Sequence, residues 1–391
     1  MKTKNLKKLL IAITTALSLA AMLAGCGSEN AADKDSIKIG ANLELTGNSA
    51  SFGTSAKNGI DLAVKEVNDA GGILGKKLVV VTADNRSEAA EAANAMQKLA
   101  DDKVVAMIAP NTSSNALAGA GAVAEAKVPA ISPGGSNPKV TVDPATNKVR
   151  QYMFRATFID PFQGRVMANF ATKSINAKTA AIYIDNSSDY SKGLAQFFKE
   201  AFTANGGKIV AEEAFLQKDT DFKAALTNLK ATNPDVIFIP AYYQEVGMIV
   251  KQAREMGIAC PLLGGDGWDS NKLAEIAGKD NLVNTFFSNH YSVEDKSPAS
   301  VKFVDAYKKA YNNNPDAFAA LGYDCVMMIV NAIKTANSSD PSKITEALAA
   351  TKDFQGATGT MTYDPNHDPI KSAFIMTFKD GNQIFKEKVA P

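Results

Sequence analysis

This sequence predicts an α/β protein of two doubly wound lobes with parallel sheets, joined by a multi-strand hinge. Short runs that are apolar on both faces alternate with segments of helical period, the pattern of parallel sheets covered by helices on both sides. The alternation restarts midway along the chain, so one plan is used twice. With 391 residues, 46% of them hydrophobic and 21% charged, the chain is large and apolar enough for two such lobes and excludes a wholly disordered protein.

The first element is a targeting signal. Lys2, Lys4, Lys7 and Lys8 precede an uncharged, mostly apolar run of 16 residues from Leu9 to Ala24, the layout of a secretory signal. A spanning helix needs about 20 apolar residues to cross ~30 Å of hydrocarbon, so this run is short of a permanent span, and no later segment reads as long enough. Leu23-Ala24-Gly25-Cys26 closes the run and resembles the bacterial lipobox. That resemblance implies that 1–25 is removed, that Cys26 is lipidated as the first mature residue, and that 26–36 is a polar tether to a membrane outside the cytoplasm. Loss of 1–25 leaves 38 basic and 41 acidic residues, a net charge of −3. Nothing in that balance calls for nucleic acid.

Strands and helices then follow in turn. Residues 37–43 read as a strand, and 54–69 carry Ile60, Ala63, Val64 and Val67 at the i, i+3, i+4, i+7 spacing of one helix face. Gly71-Gly72 ends that helix. A β-branched run at 78–82, a helix at 88–100, a strand at 104–109, a helix at 114–126 and a strand at 129–132 complete the first series. After Arg155 the rhythm restarts with helices at 162–175, 192–204, 222–230 and 245–256 between strands at 180–184, 208–212, 236–240 and 261–263. Asn68-Asp69-Ala70-Gly71-Gly72 and Ala204-Asn205-Gly206-Gly207-Lys208 stand before the second strand of each series, as in two copies of one plan. A strand at 286–291, helices at 298–312, 318–335 and 341–351 that return to the first lobe, and a hairpin about Asp380-Gly381 end the chain. The expected division is 37–157 with 288–358 as lobe 1, and 158–287 with 359–391 as lobe 2.

Motifs for bond-making chemistry fail on context. Gly71 to Lys77 has three residues between its glycines where a phosphate loop has four, lacks the hydroxyl after the lysine, and follows a helix instead of a strand. Gly119-Ala120-Gly121 lies within a helical stretch, where small residues pack a helix and do not bind a dinucleotide. Gly134-Gly135-Ser136-Asn137-Pro138 lacks the last glycine of a nucleophile elbow. The chain has two histidines, His290 and His367, far apart and in no metal-ligand spacing; His367, in Asp364-Pro365-Asn366-His367-Asp368-Pro369, reads as a surface turn. Cys260 and Cys325 read as small buried apolar residues. No enzyme activity, metal or cofactor is expected.

What remains lies at the C-terminal ends of strands, where ligands bind in doubly wound sheets. Asn111-Thr112-Ser113-Ser114 opens a helix whose free amides and dipole suit an anion, and Ser132-Pro133-Gly134-Gly135-Ser136 follows the next strand. N-capping serines and turn glycines would look the same. The second series ends its strands in Asp185 to Tyr190, Tyr242-Tyr243 and Gly264-Gly265-Asp266-Gly267-Trp268. Donors on one lobe and an acid with aromatics on the other would grip a zwitterion, its carboxylate on lobe 1 and its ammonium on Asp266 and the Tyr242 face. An Asp-Gly turn would equally explain Asp266.

From residue 37 onward the chain resembles the extracytoplasmic solute-binding proteins of branched-chain amino-acid ABC transporters, with the type I periplasmic binding fold. The resemblance rests on Ile39-Gly-Ala-Asn-Leu-Glu-Leu-Thr-Gly47 followed by Gly53 and Gly59, on Val67-Asn-Asp-Ala-Gly-Gly-Ile-Leu-Gly75-Lys76, on Pro129-Ala-Ile-Ser-Pro133, and on Gln252-Ala-Arg-Glu-Met-Gly257. It implies a carboxylate site at Ser113, the Gly134 backbone and Ser136, an ammonium site at Tyr242 and Asp266, and aromatic walls from Tyr190, Phe52 and Phe318. The family's amino-acid binders often carry Glu at the place of Asp266 and Thr at that of Ser136. Trp268 is expected to cap or narrow the side-chain pocket. The function implied is a lipid-anchored monomeric receptor that captures a small aliphatic amino acid and delivers it to an ABC transporter permease. The alternatives are a ligand sensor for a signalling protein, a binder of a non-amino-acid carboxylate, and, third, an amidase using Ser136.

Overall fold

The computed structural model describes residues 35–391, so the signal expected at 1–25 and Cys26 lie outside the described residues. The first sheet is built from β1 (Ser36–Leu43), β2 (Lys77–Asp84), β3 (Met107–Ile108), β4 (Ala130–Ser132) and β7 (Met153–Arg155), all parallel, in the order β2-β1-β3-β4-β7. Between its last two strands a small antiparallel ladder joins β5 (Val142–Asp143) to β6 (Lys148–Val149). The second sheet takes β8 (Thr179–Asp185), β9 (Lys208–Phe215), β10 (Val236–Phe238), β11 (Leu262–Gly264) and β12 (Thr285–Asn289). A three-stranded ladder of β13 (Phe354–Gly356), β14 (Gly359–Tyr363) and β15 (Pro369–Ile370) precedes the closing hairpin of β16 (Ala373–Lys379) and β17 (Asn382–Val389).

The second sheet runs β17-β16-β12-β11-β10-β8-β9. Both sheets therefore share the order second, first, third, fourth, fifth strand, in agreement with two copies of one plan. The second sheet is not parallel throughout: β16 and β17 pair antiparallel on its edge. A hairpin needs only a two-residue turn where another parallel strand would need a full crossover.

The apolar spacing read from 54–69 belongs to helix Ala50–Asp69, whose inner face buries Ala56, Ile60, Ala63 and Val67. Its partner is helix Ala317–Ala336. An added Cβ on Gly59 would collide with the carbonyl oxygen of Ala319, so the two backbones touch there. Contrary to expectation, this second helix is long and apolar enough to span a membrane. Its length is spent in the first lobe's core, where Leu321, Cys325, Val326, Ile329 and Ile333 are buried. The chain passes between the two cores after β7, after β12 and before β16.

Two smaller expectations are corrected. His367 is not on the surface: its ring stacks on Phe154 with centroids 4.1 Å apart, and its Nδ1 lies 3.0 Å from the Met153 carbonyl oxygen. A turn composition fixes the backbone of 364–369 but not which side chain is folded inward. Cys325 is buried as expected, whereas Cys260 is half-buried, and both are free thiols.

Candidate functional site

β1, β3 and β4 deliver three loops to one edge of the first sheet, at the point where its strand order reverses. The loop after β3 opens helix Ser113–Ala126 with Thr112 as its N-cap. The expected anion at this helix start is supplied by the chain itself. Buried Glu44, just past β1, accepts from the Asn111 and Thr112 backbone N–H at 3.1 Å each, from Asn111 Nδ2 at 2.8 Å, and from Thr112 Oγ1 and Asn115 Nδ2 at 3.1 Å. Asn111 and Thr112 are thereby engaged, and the donors that remain are further along. Ser113 Oγ accepts from the Asn137 N–H at 3.2 Å, which leaves its own proton to give. Ser136 is fully buried and its hydroxyl has no hydrogen-bond partner among the described residues.

Gly134 has no room for a side chain. A Cβ there would lie 2.7 Å from the Phe318 ring and 2.8 Å from the Asn111 carbonyl oxygen. The loop that carries Gly134 and Ser136 is held from beneath by Arg155 at the end of β7. Its Nη1 donates to the Gly135 carbonyl at 2.7 Å, and its Nη2 donates to the Asn137 carbonyl at 3.0 Å and to Thr141 Oγ1 at 2.7 Å. Its Nε pairs with Asp368 at 2.7 Å. Burial pulls the guanidinium below its usual range while Asp368 and Asp160 push it back up. Sequence reasoning passed over Arg155, because its work is to hold two carbonyls and a hydroxyl 14 to 20 residues away in the chain, which only the fold brings to it.

From the second lobe, the turn after β11 carries Asp266, which is buried. Tyr190 Oη donates to its Oδ1 at 2.8 Å, and His290 Nε2 lies 2.8 Å from its Oδ2. Its backbone N–H donates to Gln163 Oε1 at 2.7 Å. Burial lowers the His290 pKa and the contact with Asp266 opposes that shift. Burial, with Asp266 adding, lifts the Tyr190 phenol well above its ordinary range, so it stays a donor. His290 was dismissed from the sequence for want of a nearby partner. Its partner lies 24 residues back and one strand away, because β11 and β12 are parallel neighbours.

The aromatic residues form one wall. Tyr190 and Tyr242 stack at 5.0 Å with planes 8° apart, Tyr242 meets Phe52 edge-on at 5.6 Å, and Phe52 stacks on Phe318 at 4.1 Å. Trp268 does not join them. Its indole N–H donates to the Ile239 carbonyl at 2.9 Å and its ring lies with Phe287 in the second core, so it is turned away from the place of a pocket cap. The loop from Gly264 to Trp268 is too tight to present both Asp266 and the indole to one side.

The two lobes are shut on one another. Asn48 Nδ2 donates to Glu245 at 2.7 Å, the Ser51 and Ser270 hydroxyls meet at 2.7 Å, and Asn137 Nδ2 donates to the Asp189 carbonyl at 2.7 Å. Cavities of about 290 and 810 Å³ flank the cleft at its hinge and mouth, lined by Asp269, Tyr291 and Asn314 and by Ser51, Thr54 and Tyr243 respectively. Neither is lined by Ser113, Ser136 or Asp266. The convergent donors and the acid instead face a shut seam, and such a site opens only by separation of the lobes.

Two sheets of one order, a shut inter-lobe cleft, donors on one side and an acid on the other define a hinged small-molecule receptor. Residues 36–383 match the family of periplasmic binding proteins, and the chain belongs to that family. The Leu/Ile/Val-binding protein BraC3 of Rhizobium johnstonii is 32% identical over 341 residues, 87% of this chain and 90% of that one. The solved leucine binding protein LivK of Thermotoga maritima is 39% identical, with a TM-score of 0.86 over 91% of this chain and 99% of its own. The branched-chain amino-acid transporter substrate binding protein LivJ of Streptococcus pneumoniae, solved with isoleucine, is 41% identical, with a TM-score of 0.85 over 91% of this chain and 100% of its own. The family is one of extracytoplasmic solute-binding proteins, as the sequence motifs implied.

Proposed function

We propose that this chain captures a branched-chain or other small aliphatic amino acid between its lobes and hands it to the permease of an ABC importer. The observation that carries the reading is the division of labour across the cleft. Ser113 and Ser136 on one lobe have hydroxyl protons to give, and on the other Asp266 offers a buried carboxylate already aimed by Tyr190 and His290. The ligand carboxylate takes Ser113, Ser136 and the Gly134 N–H. Its ammonium takes Asp266 and the Tyr242 face, and its side chain lies against Phe52 and Phe318. Lobe 1 is 37–157 with 288–358, and lobe 2 is 158–287 with 359–391. The ligand closes them because only the closed form lets it touch both. Relatives named for Leu, Ile and Val, at 32–41% identity across the length of the chain, support the ligand class.

The receptor works as a monomer tethered through lipidated Cys26. Thermal melting against the twenty amino acids and their deaminated acids tests the capture, since a ligand of the folded form raises the midpoint. A rise with a few aliphatic amino acids and none with the deaminated acids is expected. A rise with the acids alone would remove Asp266 from the site and the amino acid from the function. Incorporation of labelled fatty acid that disappears in Cys26→Ser tests the tether.

A further inference from the structure

A second carboxyl group stands in the cleft, and the capture just described leaves it unused. Asp160 opens helix Asp160–Asn169, is fully buried, and neither of its carboxyl oxygens has a hydrogen-bond partner among the described residues. Its backbone N–H donates to the Ser136 carbonyl at 3.0 Å, which brings its side chain up against the equally unpartnered Ser136 hydroxyl. Gln163, one turn on, accepts at its Oε1 from the Asp266 N–H and the Ser288 hydroxyl, and the charged and titratable groups near Asp160 are engaged elsewhere. The Arg155 guanidinium is turned to Asp368 and to the carbonyls of Gly135 and Asn137. Tyr190 gives its proton to Asp266, His290 stands behind Asp266, and burial keeps Tyr242 a neutral phenol. Asn137 Nδ2, which a Cβ on Gly193 would meet together with Asp160 Oδ2, donates to the Asp189 carbonyl.

An ionised carboxylate so placed would be buried without a donor, the costly case for a charge. The start of a helix favours the anion, but more weakly than burial opposes it. An ionised Asp160 would also take the Ser136 proton for itself and set a negative charge beside the ligand's carboxylate. A neutral Asp160 reverses this: its O–H donates to Ser136 Oγ and the serine proton is free to point at the ligand.

We propose that Asp160 is a positioning residue, held as the neutral acid, whose proton aims the Ser136 hydroxyl at the ligand carboxylate and couples capture to proton uptake. The inference rests on the amino-acid reading above and deepens it. Burial pushes the Asp160 carboxyl up to about 8, with the Ser136 hydroxyl and Arg155 opposing and Asp266 adding. When the lobes part, water reaches Asp160 and returns it toward the usual carboxylate range, so closure takes up a proton.

Calorimetry of the purified protein with leucine and isoleucine, from pH 6 to 9 in two buffers of different ionisation enthalpy, tests this against Asp160→Asn. The amide still donates to Ser136 but cannot titrate. Wild type is expected to take up protons on binding and to lose affinity as pH rises toward 8, approaching tenfold per pH unit, the limit for one linked proton, and to level off above it. Asp160→Asn should bind without that dependence. Binding with no proton uptake and the same pH profile in both proteins overturns the proposal, and the buffer comparison on wild type decides alone if the variant does not fold. Should neither amino acid bind wild type, the amino-acid reading fails and this proposal with it, an outcome distinct from binding without proton uptake, which overturns the proposal alone.

Discussion

Asp266 enters the cleft with both carboxylate oxygens engaged at 2.8 Å, by Tyr190 and by His290. Those two partners fix its direction, and what it keeps for a ligand is the remaining lone pairs. Removing the acid leaves a ligand ammonium desolvated and unpaired, which costs ~2–5 kcal/mol in buried charge pairs. Asp266→Ala is therefore expected to weaken aliphatic amino-acid binding at least 30-fold by calorimetry while the far-ultraviolet circular dichroism stays that of wild type. Ser136→Ala should be milder, at ~1 kcal/mol, because in the proposed grip Ser113 and the Gly134 N–H share the carboxylate. Equal losses in the two variants would mean that the acid does not dominate recognition. At this scale the strand-end position and residue type of Asp266, Ser113 and Ser136 were legible. His290, Gln163 and Arg155 were not, since each acts through a partner that only adjacent strands bring near.

Helix boundaries and faces followed the apolar period closely, as in the helix Ala50–Asp69. What the period could not show is how near two helices come. Gly59 lets this helix lie backbone to backbone on Ala317–Ala336, with no space for a methyl group. Gly59→Ala should gain helix propensity locally and lose more through forced separation, at ~1–3 kcal/mol for overpacking, read as a lower urea midpoint with an unchanged slope. A rise in midpoint would show that the interface yields. The start of helix Ser113–Ala126 makes the same point with charge. Its amides and dipole were correctly read as an anion site, and the anion proved to be Glu44, 67 residues from its first donor.

Across the whole molecule, the hinge is a buried polar network. Arg155 ties the Ser136 loop to Asp368, while Lys371 Nζ donates to the Ala156 carbonyl and to Thr358 Oγ1, and Asp324 accepts from Thr358. Taking one partner from a buried pair costs ~3–5 kcal/mol, so Arg155→Met should lower stability by that order in urea unfolding. Burial raises Asp160 to about 8 and Asp316 to about 7, so the folded chain holds protons that the unfolded chain has released. His290 and His367, lowered by burial, contribute stability that is gained as pH rises toward the usual histidine range, while with the lobes shut the two carboxyls contribute stability that is lost as pH rises from about 4 to 8. Lys371, lowered by burial to about 8, acts oppositely: the unfolded chain binds the extra proton above that pH, and stability recovers toward the ordinary lysine range. Urea midpoints measured from pH 7 to 10, above the histidine range, check both limbs, and a flat profile there would mean that Asp160 and Lys371 titrate as they do in water.

The sequence by itself determined the order of strands and helices, the doubling of the plan and the strand ends that face the cleft, because period, turn residues and helix caps act within a few residues of chain. The tertiary structure alone decided which polar groups keep a free valence. Glu44 claims the first amides, Trp268 turns into a core, His290 reaches Asp266 from the neighbouring strand, and Asp160 is left unpaired beneath Ser136. A hydrogen bond spends a donor wherever the fold brings an acceptor, and that pairing depends on distance in space, which a local pattern does not contain.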